Sequence, residues 1–249
     1  MAATKRLRLF AGPNGSGKSS LFPTIAEQFP VGYFINSDEI EKEISTKGLI
    51  NIDQFGLKLL QKDLDEFKKK PDAISIIEKT KKNGHVLDVE IRENFLVDQS
   101  KQTHSYEASF LTSFIRHHLR LKGSSYSFES VMSHPSKLNE LRVAKEMGYK
   151  TYLYFVCTQD PEINVSRVMN RVEKGGHNVD KEKIISRYYD TLQQLLPALR
   201  LVDKAFLFDN STTTMELAAE IKNGQMEILT DSVPNWIIEY VVNIVSQES

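Results

Sequence analysis

One run of residues has the composition and spacing needed to bind a phosphate group. Residues 12–19 read Gly-Pro-Asn-Gly-Ser-Gly-Lys-Ser and fit the pattern G-x-x-x-x-G-K-[ST]. The three glycines of this run allow the main chain to wrap closely and to point its amides at phosphate oxygens. The Lys18 ammonium would reach the β and γ phosphates, and the Ser19 hydroxyl would ligate Mg²⁺. The run, hereafter the P-loop, therefore predicts nucleotide binding.

The residues on either side of the P-loop support this prediction. Leu7, Leu9 and Phe10 indicate a short apolar strand before it, and residues 19–28 have the pattern of a helix. The positive end of the helix dipole would then face the phosphates. A glycine turn that merely precedes a helix is the alternative.

Asp38 is a candidate for the group that removes a proton during phosphoryl transfer. It follows a second apolar segment, residues 31–36, about twenty residues after Lys18. That interval is one strand-helix-strand step, so we expect this segment to be a strand beside the P-loop strand, opening into the crevice where α/β sheets bind ligands. A carboxylate there would accept the proton of an attacking hydroxyl. Alternatively, Asp38 caps the helix that begins there.

Three arginines follow in the second half of the chain. Arg167 and Arg171 lie four residues apart, which places them on one face of a helix, and Arg187 lies on the next helix. Planar guanidinium groups neutralise the charge that spreads over the oxygens of a transferring phosphoryl group. Surface pairing with acidic residues on the same helices is an equally simple interpretation of each arginine.

Composition and charge exclude some classes of function. The chain has 249 residues, of which 40% are hydrophobic and 26% charged, and its formal net charge is -1. The hydrophobic content excludes a disordered chain. A net charge near zero provides no overall positive potential that would attract nucleic acid. Lysines cluster at 68–70 and 79–82. Since no aromatic residues alternate with them for base stacking, a solvated helix end is favoured over a nucleic-acid site.

Cysteine usage and hydropathy indicate the compartment. Cys157 is the only cysteine, so no internal disulfide can form, which suits a reducing environment. No run approaches the roughly 18 apolar residues of a membrane span, and the apolar stretch near the start is too short for a secretory signal. We expect a soluble, cytoplasmic protein that makes no membrane contact.

Helix and strand patterns alternate along most of the chain, which predicts an α/β fold with a mostly parallel sheet. Residues 105–121 and 161–173 have helical patterns, and residues 151–158 are typical of a buried strand. We expect a single domain, 1–249, with an all-helical insert at 50–102, in which the pattern of residues 85–95 is ambiguous. Asn-Gly at 223–224 is typical of a two-residue turn, so 211–249 should form a hairpin followed by a helix.

Six segments, in order, resemble the motifs of the zeta-toxin family of P-loop kinases. They are GPNGSGKSS, NSDEI, SFES, RVMNRVEKGGHNV, RYYDTL and FDNS. The likeness runs from about residue 7 to 210 and leaves out most of 50–102. It implies the three-layer P-loop NTPase fold of small nucleotide kinases. Toxins of this family transfer the γ-phosphate of ATP to a sugar hydroxyl of UDP-N-acetylglucosamine, which implies ATP and Mg²⁺ here.

The resemblance also assigns roles to single residues. Asp38 would be the catalytic base, and Glu129, at the end of SFES, would help to hold the metal. Asp88 and Glu90 are rivals for the metal role, because they also follow an apolar run. The three arginines would close over the triphosphate.

Other implied roles concern the lid and the nucleotide base. Residues 174–180 would form a flexible lid, which His177 shapes rather than moving protons. Asn210 would lie beside the base, although a turn after a strand explains it equally well. The candidate nucleotide-binding residues are Gly12, Asn14, Gly15, Ser16, Gly17, Lys18, Ser19, Ser20 and Asn210. The candidate catalytic residues are Asp38, Lys18, Arg167, Arg171 and Arg187, and the candidate metal ligands are Ser19 and Glu129.

The phosphate acceptor stays open at this point. The family's toxins carry a threonine and an arginine soon after the strand-end acid, whereas this chain has Val131 and Ser133. A small-molecule hydroxyl is expected, with UDP-N-acetylglucosamine the leading acceptor, and the resemblance also raises an antitoxin-like protein partner. The alternatives are a regulatory or scaffold protein that binds nucleotide without transfer, and a kinase acting on nucleic-acid ends.

Overall fold

The computed structural model describes residues 4–100, 105–176 and 179–248. These form two compact units. The first unit holds the chain up to Val31 and from Ser127 onward, and the second unit holds Gly32–Tyr126. The second unit therefore begins before, and ends after, the insert expected at 50–102.

Strands and helices alternate along the described chain. The strands are β1 (Arg6–Ala11), β2 (Tyr33–Ile35), β3 (Leu49–Asn51), β4 (Val89–Arg92), β5 (Phe95–Asp98), β6 (Tyr126–Ser130), β7 (Lys150–Cys157), β8 (Lys204–Asp209), β9 (Glu216–Lys222) and β10 (Gln225–Ile228). The helices are α1 (Lys18–Gln28), α2 (Ser37–Lys47), α3 (Gln61–Phe67), α4 (Pro71–Lys82), α5 (Ser105–Lys122), α6 (Asn139–Glu146), α7 (Pro161–Glu173), α8 (Lys181–Gln193), α9 (Leu195–Leu201), α10 (Asn235–Ile237) and α11 (Asn243–Glu248). Short 3₁₀ turns occur at Ile52–Phe55 and Pro135–Leu138, and a π-helical turn, Ile238–Val242, joins α10 to α11.

In the first unit the strand order is β10-β9-β8-β7-β1-β6. β1, β7 and β8 run parallel, whereas β9 and β10 are antiparallel to their neighbours. The predicted hairpin at Asn223-Gly224 is confirmed, since both residues have the positive φ that a tight primed turn requires. The prediction that the strand following Val31 lies beside β1 is wrong, because β7 and β6 occupy both hydrogen-bonding edges of β1.

Side chains from the two faces of this sheet pack against different helices. Phe10 and Tyr154 lie on one face and form a buried cluster with Leu21 of α1. Phe155 points to the opposite face, where its ring lies 5.7 Å from that of Trp236 near the C-terminus. Neighbouring residues of a strand point to opposite faces of the sheet. Because α1 packs on one face and α10 on the other, the sheet is the middle of three layers.

The second unit contains its own small sheet. Its order is β3-β5-β4, and both pairings are antiparallel. Helices α3 and α4 lie between β3 and β4 in the chain. The expectation of an all-helical insert is wrong, because the ambiguous residues 85–95 contain β4 and the start of β5. The reason is visible in Val89, Ile91 and Leu96, which are buried in alternation with more exposed neighbours and so follow a strand period.

The helices expected at 105–121 and 161–173 are confirmed by α5 and α7. The C-terminal region contains the expected hairpin and helical segment, the latter interrupted by the π-helical turn. Among the described residues, no helix is both long and apolar enough to cross a membrane.

Candidate active site

The P-loop connects β1 to α1 through glycines in unusual backbone conformations. Gly12, Gly15 and Gly17 have φ angles of 145°, 76° and 105°. Side chains rarely tolerate this region, which explains the glycine at each position. Space is also restricted, since a Cβ atom on Gly12 would collide with the carbonyl oxygen of Val156.

The side chains of the P-loop are arranged around its main chain. The Lys18 ammonium donates hydrogen bonds to the carbonyl oxygens of Gly12 and Pro13, both at 2.8 Å. The hydroxyl of Ser16 is fully buried and has no hydrogen-bond partner among the described residues. Gly17 is the N-cap of α1, so the first amides of the helix lie at the loop. The amides at a helix N-terminus and the positive end of the helix dipole together favour an anion at this position.

Two asparagines from outside the P-loop hold its main chain in place. Asn164 of α7 donates from Nδ2 to the carbonyl oxygen of Asn14 at 2.6 Å. Asn210, which follows β8, donates from Nδ2 to the carbonyl oxygen of Ser16 at 2.7 Å. The structure thus shows Asn210, which the resemblance places beside the nucleotide base, bound to the P-loop through its side-chain amide. Asn164 was not identified from the sequence; the signal that it offered was a polar residue on the buried face of an amphipathic helix, beside Val165 and Val168.

Ser19 and Glu129 lie together at the start of α1 and the end of β6. The Ser19 hydroxyl donates to Glu129 Oε2 at 3.1 Å. Among the described residues, no three histidine, cysteine, aspartate or glutamate side chains are grouped so that they could hold a metal ion by themselves. A hydroxyl and one carboxylate nevertheless suit Mg²⁺, which prefers oxygen ligands and keeps several waters and phosphate oxygens in its shell.

The rival acids lie in the second unit. Asp88 is exposed and precedes β4, and the Glu90 carboxylate contacts Arg92 and Gln99. Glu90 is thus already engaged in a surface cluster, whereas Glu129 meets a P-loop hydroxyl.

The three candidate arginines have different surroundings. Arg167 donates from its two Nη atoms to the carbonyl oxygens of Asn210 at 2.8 Å and Thr212 at 3.1 Å. Arg171 is exposed one turn later on α7. Arg187 of α8 is half-buried, and within the described part of the chain its guanidinium has no ion pair or hydrogen bond.

A pocket of about 420 Å³ lies along the C-terminal half of α7. It is lined by Arg167, Asn170, Arg171, Lys174, Gly175 and Gly176. Three of these side chains are cationic, so the pocket favours an anionic ligand. α7 ends at Glu173 and α8 begins at Lys181, which bounds the predicted lid at 174–180. His177 lies outside the described residues.

Asp38 is exposed in the first turn of α2 in the second unit. The alternative that it caps this helix is wrong. Asn36 is the cap, since its Oδ1 accepts the amide of Asp38 at 2.8 Å and that of Glu39 at 3.4 Å. The Asp38 carboxylate is therefore not used to start the helix.

Several hydrogen bonds surround the carboxyl ends of β7 and β8. The Tyr188 hydroxyl donates to the carbonyl oxygen of Thr158 at 2.6 Å. Burial raises the pKa of the Cys157 thiol to about 12, so this side chain stays protonated and unreactive. Asp209 accepts a hydrogen bond from the indole of Trp236 at 2.8 Å and also binds Ser211, which makes it part of a turn.

Comparison with known proteins identifies the family. A family model described as Zeta toxin matches residues 58–224. The chain belongs to the zeta toxin family. The match begins after the P-loop and includes residues 58–102, so the family pattern extends into the segment that the motif resemblance left out.

This chain covers different shares of the proteins that it resembles in sequence or structure. An uncharacterized protein of Haemophilus influenzae is 32% identical over 63 residues, which are 25% of this chain and 45% of that protein. A chain of the AvrRxo1-ORF1:-ORF2 complex crystallised with ATP has a TM-score of 0.53 and 17% identity, over 91% of this chain and 61% of the other. This chain thus spans less than two thirds of either.

A structure of the PezAT toxin-antitoxin system of Streptococcus pneumoniae has a TM-score of 0.53 and 14% identity, over 99% of this chain and 83% of the other. At such identities the likeness concerns the fold. Together with the parallel strands around β1, it confirms the predicted α/β P-loop NTPase fold.

Proposed function

We propose that the protein is a kinase that transfers the γ-phosphate of ATP to a hydroxyl of a small molecule. The observation that carries the proposal is the P-loop, which brings Lys18 and the first amides of α1 to one place. Beside it, the Ser19 hydroxyl donates a hydrogen bond to Glu129 at 3.1 Å. Membership of the zeta toxin family supports the same reaction type.

ATP fits the P-loop by charge and geometry. Lys18 would exchange its two carbonyl acceptors for the more strongly attracting oxygens of the β and γ phosphates. The main-chain amides at the start of α1 would bind the remaining oxygens. A neighbour of similar fold, the AvrRxo1-ORF1:-ORF2 complex, was crystallised with ATP, which agrees with this choice.

Ser19 and Glu129 would hold Mg²⁺ between the protein and the phosphates. The ion would supply positive charge opposite the β and γ oxygens. Glu129 orients the Ser19 hydroxyl through its hydrogen bond, so the pair is set in place before a ligand arrives.

Transfer would proceed by direct displacement at the γ-phosphorus. The acceptor oxygen forms a bond to phosphorus, its proton passes to the Asp38 carboxylate, and the bond from phosphorus to the β–γ bridging oxygen breaks to release ADP. Arg187, half-buried and without a protein acceptor in the described part of the chain, would neutralise charge on the transferring group. Arg171 would add a second cation from the pocket beside α7, and Arg167 would hold the neighbouring turn.

The proposed acceptor is a sugar nucleotide, with UDP-N-acetylglucosamine first. Incubation with γ-labelled ATP and a panel of UDP-sugars, nucleosides and 5′-hydroxyl oligonucleotides tests this choice. Label in a UDP-sugar supports the proposal, and label in the oligonucleotides would instead support a kinase of nucleic-acid ends. No label in any acceptor, with ATP binding retained, would leave a nucleotide-binding scaffold.

A protein partner is the second part of the proposal. PezAT is a toxin-antitoxin system and AvrRxo1-ORF1:AvrRxo1-ORF2 is a complex of two proteins, and this chain is similar to both in fold. We infer that a separately encoded protein binds this chain and blocks the nucleotide site. Co-expression with the product of an adjacent reading frame, followed by size-exclusion chromatography and the transfer assay, tests the idea. Separate elution with full activity would contradict it.

A further inference from the structure

Asn164 is a fully buried polar side chain that uses both atoms of its amide. Its Nδ2 donates to the carbonyl oxygen of Asn14 at 2.6 Å, and its Oδ1 accepts from the hydroxyl of Thr158. Both Asn164 and Thr158 have 0% exposure. A hydrogen-bonded polar network of this kind is costly to bury unless it is fully satisfied, and when satisfied it holds its members rigidly.

The main chain of Asn164 also supports the P-loop directly. A Cβ atom added to Gly15 would lie 2.6 Å from the Asn164 carbonyl oxygen. The loop therefore rests on this turn of α7 at Gly15 and is tied to the Asn164 side chain at Asn14. Two contacts at neighbouring residues fix both the position and the orientation of this part of the loop.

Thr158 extends the contact to α8. Its carbonyl oxygen accepts from the Tyr188 hydroxyl at 2.6 Å, and Tyr188 is 3% exposed. Burial raises the pKa of Tyr188, so the phenol remains a donor at any working pH. A continuous set of bonds thus runs from α8, the helix that carries Arg187, through Thr158 and Asn164 to the P-loop.

We propose that Asn164 is a positioning residue for the triphosphate, which holds the P-loop in its binding conformation before the nucleotide arrives. The inference rests on the proposed nucleotide site. Its physical basis is entropy: glycine loses more conformational freedom on ordering than any other residue, and this loop contains three in left-handed conformations. Asn164 orders the loop in the free protein, so the nucleotide does not have to supply that free energy on binding.

Asn164→Leu tests the proposal, since leucine has a similar volume but cannot bind Asn14 or Thr158. The dissociation constant of a non-hydrolysable ATP analogue with Mg²⁺, measured by titration calorimetry, should rise at least tenfold. Thr158→Val should give a smaller rise, because it removes one bond to Asn164 and leaves the bond to Asn14 in place. Turnover at saturating ATP should fall far less than the affinity does.

Thr80→Val is the matched control. Thr80 is 1% exposed in the second unit, and its hydroxyl donates to the Ile76 carbonyl oxygen at 2.7 Å. This variant should lose stability in urea unfolding and bind the analogue like the wild type. If Asn164→Leu behaves like Thr80→Val, losing stability but not affinity, Asn164 is merely structural and the inference is overturned.

A second variant guards against misfolding. Asn164→Ser keeps a small polar side chain but cannot reach the Asn14 carbonyl oxygen, so it should also weaken binding at least tenfold. Wild-type affinity in a folded Asn164→Ser protein would overturn the inference. Failure of the wild-type protein to bind the analogue would overturn the proposed function itself, which separates the two results.

Discussion

The Asp38 carboxylate is exposed in the first turn of α2, where Asn36 already serves as the cap. Asp38→Asn keeps the shape of the side chain and removes its basicity. We expect this variant to bind ATP normally and to transfer phosphate at least about 100-fold more slowly, which is the usual contribution of a general base. Calorimetry with the ATP analogue and the labelled transfer assay measure the two quantities.

Glu39→Gln is the control for this change, because Glu39 is an exposed acid in the same helical turn. It should transfer phosphate at the wild-type rate. Equal rates for Asp38→Asn and the wild type would exclude Asp38 as the base.

Single residues were predictable where their type alone meets a geometric requirement. Gly12 and Gly15 must be glycines because of their positive φ, and a fixed spacing revealed them. Asn164 could not be found in this way, since its partner Asn14 lies 150 residues away in the chain. A local pattern carries no information about such a partner.

Strand β1 contains a buried cation with no acidic partner among the described residues. Arg8 is 4% exposed, and its Nε and Nη1 atoms have no hydrogen-bond acceptor there. Each unsatisfied group costs about 1–3 kcal/mol. The Tyr152 ring, 5.0 Å away, and a contact with Tyr154 offset only part of this, because a cation–π contact contributes about 0.5–2 kcal/mol.

Arg8→Met should therefore raise the free energy of unfolding by about 1 kcal/mol, measured by urea denaturation. Arg6→Met is the control on the same strand. Arg6 is only half-buried and donates to the Thr4 carbonyl oxygen, so its replacement should give no gain. Destabilisation by Arg8→Met would mean that the guanidinium has a stabilising role that outweighs its burial.

Helix α5 of the second unit should make stability depend on pH through His118. Burial lowers the pKa of His118 below its ordinary value of 6.5, and nearby Asp63 and Glu66 oppose this only in part. As the pH falls through 6.5, His118 therefore takes up a proton in the unfolded chain but remains neutral in the folded chain. Stability from this residue is present above pH 6.5 and falls as the pH drops below it.

Urea unfolding at pH 7.5 and 5.5 should show this loss for the wild type, with a slope of at most about 1.4 kcal/mol per pH unit from one histidine. His118→Phe should reduce the loss. Phenylalanine suits the site, where the His118 ring lies 4.6 Å from that of Phe114. An NMR titration that places the His118 pKa above 6.5 would contradict the prediction.

Helices and strands were predictable where their hydrophobic pattern continues over many residues. Helix α5, with 18 residues, and strand β7, with 8, follow clear patterns. Strands β4 and β5 have 4 residues each, and the turn between them uses Glu93 and Asn94 with positive φ. Neither residue is a glycine, so the usual sign of a hairpin was missing.

At the scale of the whole molecule, nucleotide binding should stabilise the folded chain. A ligand that binds only the folded state increases the free energy of unfolding by about 2.7 kcal/mol when its concentration is one hundred times its dissociation constant. The melting temperature should therefore rise with the concentration of the ATP analogue and Mg²⁺. Lys18→Met, which removes the ammonium beside Gly12 and Pro13, should abolish most of the rise. An unchanged melting temperature in the wild type would contradict nucleotide binding.

The class of fold was predictable at this scale, but the arrangement was not. Alternating helices and strands implied a parallel sheet, and β1, β7 and β8 form one. The neighbours of β1 come from residues more than 100 positions later in the chain, namely β6 and β7. Pairings over such distances depend on the packing of the complete chain rather than on local periodicity.

Cys157 gives this protein a practical property. It is the chain's one thiol, and it lies fully buried at the end of β7 with its pKa raised to about 12. Maleimide dyes and mild oxidants should therefore not react with the Cys157 thiol while the protein is folded. A cysteine placed at any exposed position would then accept a fluorophore or spin label alone, with no need to delete the natural one.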